Sequence, residues 1–111
     1  MRERTKRFAI RIVKLFRQLP KTDEARVLGK QVLRAGTSVA ANYRAVCRAR
    51  SKAEFISKIG VVVEEADETV FWLELLVECG VVSTSRMENL LVEANELLAI
   101  SAASQRTARG Q

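Results

Sequence analysis

The cations in the first half of this chain recur at intervals that a helix turns into stripes. Arg4, Arg7, Arg11 and Lys14 follow one another at steps of three and four, so one side of a helix carries all four. Lys30, Arg34, Arg44 and Arg48 fall on a second line that passes through Thr37 and Ala41, and Arg50 and Lys52 follow at once. Most are arginines, whose planar fork meets phosphate oxygens two at a time. The chemistry on offer is therefore contact with a nucleic-acid backbone, without reading of bases. Tyr43 is the one obvious aromatic for stacking on a base, which predicts weak sequence selectivity. A competing account has the same cations keep the chain soluble or pair with acidic helices of neighbouring copies.

Other chemistries lack their parts. Glu64, Glu65 and Glu68 resemble half of a carboxylate metal site, but a di-iron bundle site needs Glu-x-x-His from two helices, and the chain has no histidine. The same absence removes Cys/His zinc sites and Cys/His nucleophiles. The two cysteines, Cys47 and Cys79, bracket a helix; about 24 residues at ~1.5 Å each separate them by ~36 Å, too far to pair within one hairpin. Reduced, partly buried thiols are expected, with no metal and no cofactor, and enzymatic activity is the least expected class.

The elements that must position these residues can be read from apolar spacing. A first helix from about Arg4 to Leu19 buries Phe8, Ile12, Leu15 and Leu19, widened by Ala9, Val13 and Phe16, and stops at Pro20. Thr22 caps a second helix, with Asp23 and Glu24 at the positive end of its dipole. Its seam is Leu28, Val32, Ala35, Val39, Asn42 and Val46, in alternating steps of four and three. Asn42 either fixes helix register or meets a ligand, and Gly36 predicts a close approach of another helix. Ser51 and Glu54 form a capping box that opens a third helix from Lys52 to Cys79, with the seam Phe55, Ile59, Val62, Ala66, Thr69, Leu73 and Leu76. Two seams joined by so short a connection fold back as an antiparallel hairpin. Gly80 ends that helix. Ser85 and Glu88 read as the capping box of a fourth, which turns Met87, Leu90, Leu91, Ala94, Leu97, Leu98 and Ser101 inward.

Charge divides the chain. Residues 1–58 hold 16 Lys or Arg against 4 Asp or Glu, and residues 59–111 hold 3 against 9, so a net of +12 meets one of −6 to leave the overall +6. The third helix concentrates the acids, and it has more apolar surface than one seam uses. Glu65, Glu68 and Trp72 are accordingly expected at an interface with another subunit, or Trp72 lies over the core of its own chain. With 111 residues, nearly half of them apolar, one core is expected: a four-helix bundle over residues 1–103 and a flexible C-terminal tail over residues 104–111. No apolar run approaches the roughly 20 residues that cross a bilayer, and no signal peptide is evident, so a cytoplasmic protein without membrane partners is expected.

Several segments together resemble a known family. These are Thr37-Ser38-Val39-Ala40-Ala41-Asn42-Tyr43-Arg44, then Cys47 through Lys58, then Glu64-Glu65-Ala66-Asp67-Glu68 and Trp72-Leu73-Glu74-Leu75-Leu76. In order and spacing they are similar to the four-helix-bundle proteins named for intervening sequences in 23S ribosomal RNA. A Glu commonly follows the arginine of the Asn-Tyr-Arg segment in that family, where this chain has Ala45. The resemblance implies an all-α, antiparallel up-down-up-down bundle from a bacterial cytoplasm, with no enzymatic activity. It extends to the accessory proteins of diversity-generating retroelements, which form pentamers and associate with nucleic acid and a reverse transcriptase. A pentameric homo-oligomer and such a partner are what the resemblance implies, not what residue spacing shows.

The reading that follows is a non-enzymatic oligomeric bundle that binds RNA or DNA through Arg4, Arg7, Arg11, Lys14, Lys30, Arg34, Arg44, Arg48, Arg50 and Lys52. The alternative is a protein-interaction or scaffold bundle with no direct nucleic-acid contact.

Overall fold

In a computed structural model, which describes residues 1–110, four amphipathic stretches form four helices: α1 (Arg2–Gln18), α2 (Asp23–Val46), α3 (Lys52–Glu78) and α4 (Thr84–Ala108). Their ends follow local chemistry. α1 stops where Leu19, ahead of Pro20, turns extended with ψ 149°. The Thr22 hydroxyl accepts from the Ala25 N–H at 3.3 Å, and the Ser51 hydroxyl from the Glu54 N–H at 3.0 Å. Only half of the Ser51 box forms, since the Glu54 carboxylate faces Lys58 at 3.5 Å instead. Gly80, at φ +73°, closes α3: its own N–H reaches the Val77 carbonyl and the Val81 N–H reaches that of Leu76, the double return that a left-handed residue makes possible.

Packing is sequential. α1 lies on α2, α2 on α3 and α3 on α4, while α1 and α4 barely meet, so the chain runs up, down, up, down. The molecule is 45 Å long and 22 by 20 Å across, and no strand occurs among the described residues. The seams meet inside. Phe8, Ile12, Val32, Val39, Ile59, Val62, Leu73, Leu76, Met87 and Leu97 are all buried. Gly36 does allow the close approach its position implies, because a Cβ there would stand 2.7 Å from Ile12 Cγ1. Asn42 is half-buried and donates to the Ser38 carbonyl of its own helix at 2.8 Å, so no hydrogen bond to another helix sets register through it.

Three expectations are corrected. The cap of α4 is Ser83, whose hydroxyl accepts from the Arg86 N–H, and Ser85 is the second residue of the helix itself. The helix extends past residue 103 and remains helical to Ala108, so residues 104–108 are not a loose tail. Ser101 is buried, Ser104, Gln105 and Ala108 are half-buried, and Gln105 lies against Gly60 of α3, which gives these last turns something to pack on. Both cysteines are free and exposed rather than partly buried, since each is the C-cap of its helix, beyond the packed layers.

Candidate nucleic-acid interface

The cations of the first two helices fall into three settings. Arg4 faces α4: its Nε and Nη2 meet the two oxygens of Glu93 at 2.8 and 2.7 Å, and Nη2 also reaches Glu96 at 3.0 Å. This bidentate bond holds the Glu93 carboxyl below its ordinary pKa, against the opposing effect of partial burial. Arg7 and Arg11 lower it further through space, so the α1 stripe borders an acid of α4 and is not an isolated basic face.

Arg34 is likewise taken. It reaches across the α2–α3 seam to Glu65 at 3.2 Å and to Glu68, and Glu68 also accepts from the Trp72 indole at 3.2 Å. Glu65, Glu68 and Trp72, expected at a subunit interface, thus have partners within the chain. Trp72 is half-buried on the core, and its neighbour Phe71, edge-on to it with ring centres 4.9 Å apart, is the more exposed at 53%. Tyr43 is also half-buried, packed near Val39 and Val46, and burial pushes its hydroxyl pKa up, so its ring is less open for base stacking than its place between basic residues implies.

Among the described residues, Arg44 and Arg48 have no carboxylate partner. Antiparallel packing brings the start of α1 beside the end of α2, and Arg2, Lys6, Arg44 and Arg48 surround a cleft of about 420 Å³ at this seam. Ala40 and Ala41 form its floor, small enough to leave it open, and Glu3 is its one acid among the described residues. No side chain caps α1 at this end, so its dipole adds to the positive field. Arg2 and Lys6 lie outside the stripes read from the sequence. What joins them to Arg44 is the pairing of two helices rather than the spacing within one. Arg50 and Lys52 lie exposed in and after the adjoining α2–α3 connection. The same end of the bundle receives Arg106 and Arg109 at the close of α4. Lys30 is exposed further along α2, and Arg11 and Lys14 border a separate cleft against α4.

No helix of the described residues is long and apolar enough to cross a membrane. Among solved structures, the chain is similar to a protein of unknown function from the S23 ribosomal protein family of Bacteroides thetaiotaomicron. The two share 33% identity at a TM-score of 0.88, over 95% of this chain and 97% of that one. No curated protein matches. A bundle of this shape, that likeness across nearly its whole length, and a match of residues 1–103 to the family model for the 23S rRNA-intervening sequence protein together place the chain: it belongs to that family.

Proposed function

We propose that the protein binds the phosphate backbone of nucleic acid through the cleft between α1 and α2. One observation carries this reading: Arg2, Lys6, Arg44 and Arg48 converge from two helices on one concave site with a single carboxylate among the described residues, while Arg4 and Arg34 are neutralised elsewhere. Unpaired cations held together repel one another and weaken the fold, so an anion relieves them, and guanidinium groups suit phosphate oxygens. The family description mentions 23S rRNA, which makes RNA the first nucleic acid to try.

The test is binding of labelled single-stranded RNA and duplex DNA across a salt series, with the mass in solution measured by light scattering. Affinity should fall steeply with salt as counterions are released. Arg44→Glu with Arg48→Glu should leave the helical circular dichroism intact and weaken binding roughly tenfold or more. Absence of binding at low salt removes the reading.

A second reading, a protein-interaction surface, rests on the outward side of α3. Glu64, Asp67, Phe71, Glu74 and Glu78 recur there at steps of three and four and are all exposed, an acidic stripe with an aromatic at its centre. A basic helix face from another copy or another protein fits this surface, and the same light-scattering measurement reports self-association.

A further inference from the structure

A second concave site lies across α1 from the first. Where α1 and α4 fail to pack closely, a cleft of about 300 Å³ opens, at the small end of the range for ligand pockets. Arg11 and Lys14 of α1 and Arg86 of α4 stand on its walls, and no carboxylate of the described residues lines it. The nearby Glu93 is held by Arg4. Gln18 and Asn89 add amide groups that both donate and accept, and the Arg86 guanidinium donates to the side-chain Oε1 of Gln18 at 3.1 Å, which fixes its direction across the gap. The floor is aliphatic, formed by Leu15, Val82 and Leu90.

These three kinds of surface match the parts of one nucleotide. Cations suit the phosphate, amides suit the polar edge of a base, and aliphatic side chains suit its flat face. The α1–α2 cleft, floored by two alanines, offers charge without the amides. We infer that the α1–α4 cleft takes a single unstacked nucleotide of a single-stranded nucleic acid whose backbone crosses α1 from the first cleft. This rests on the nucleic-acid reading and deepens it by naming the strandedness of the ligand. A duplex keeps its bases stacked inside and has no free nucleotide to seat in this cleft. The outward side of α1 between the two clefts carries Arg7 and Ile10, both exposed, and gives the strand a basic path with an apolar step.

The experiment uses the full chain and compares a short unstructured single-stranded RNA with a duplex of equal length. Arg11→Gln with Arg86→Gln should weaken single-strand binding roughly tenfold through the loss of charge-assisted contacts, and duplex binding by less than about twofold. Lys21→Gln with Arg26→Gln removes the same charge away from both clefts and should lower the two affinities by an equal, small factor. Asn89→Ala, which changes no charge, should weaken single-strand binding alone and covers the case in which the arginine pair fails to fold. Adenosine monophosphate should displace the strand at lower concentration than inorganic phosphate. Parallel loss of single-strand and duplex binding, or equal competition by phosphate, overturns the inference. An effect of Arg44→Glu with Arg48→Glu but none at Arg11, Arg86 or Asn89 overturns it too and leaves the first cleft standing. No binding of any nucleic acid by the unmodified chain removes both.

Discussion

Arg34 and Arg44 belong to one basic stripe of α2, yet the ten-residue step between them turns them about 80° apart and their surroundings are opposite. Arg34 faces α3, where Glu65 and Glu68 close on it, while Arg44 faces the start of α1, where Arg2 and Lys6 stand. The first is a clamp between two helices, and the second is a charge without an acidic partner among the described residues. An arginine stripe therefore has no single role. The neighbouring helix decides whether each guanidinium is consumed by the fold or left for a ligand, and here α3 consumes while α1 concentrates.

The largest break in this contrast comes from removing α1 from α2. Gly36→Val places methyl groups where Ile12 already lies, and overpacking of this kind costs about 3 kcal/mol. Denaturant unfolding should show that loss, together with loss of RNA binding, because the cleft exists only while α1 is seated. Next is the salt dependence of the seated protein. Arg44→Glu with Arg48→Glu should reduce the slope of log affinity against log salt for a single strand by about 1.4, two phosphate contacts at ~0.7 each. An unchanged slope would mean that neither side chain meets phosphate.

Arg34→Gln sharpens the contrast from the other side. It should leave RNA affinity within about twofold and cost only about 0.5 kcal/mol, the worth of an exposed ion pair. It also frees Glu68 beside the Trp72 indole, so a small change in tryptophan fluorescence should accompany it. The smallest effect is pH-dependent. Glu93 has its pKa depressed by Arg4, so its contribution is present above the ordinary carboxylate value of about 4.3 and is lost as pH falls below it. Glu93→Gln should lower the melting midpoint by a few degrees at neutral pH, and the difference from the unmodified chain should vanish on acidification.

The helices were legible because their causes are local. Steps of three and four put Val32, Ala35 and Val39 on one line whatever surrounds them, and Thr22, Ser51, Pro20 and Gly80 act on the backbone within a turn of themselves. The fourth helix is less legible at both ends. Ser83 and Ser85 are equally good caps by type, and residues 104–108 owe their order to packing on α3 that no periodicity announces. The candidate site was half legible: Arg44 and Arg48 are in their stripe, whereas Arg2 and Lys6 join them only across a seam.

By itself, the sequence determined four amphipathic helices, their order, and a charge imbalance between the first 58 residues and the rest. These follow from backbone geometry and from composition, which need no partner. Tertiary structure alone decided which cations remain available. An ion pair depends on which helix lies alongside and at what register, and the antiparallel fold carries Arg34 to a pair of carboxylates and Arg44 to another cluster of cations. Local rules place a charge on a face of its helix, and the packing of the next helix determines what that face meets.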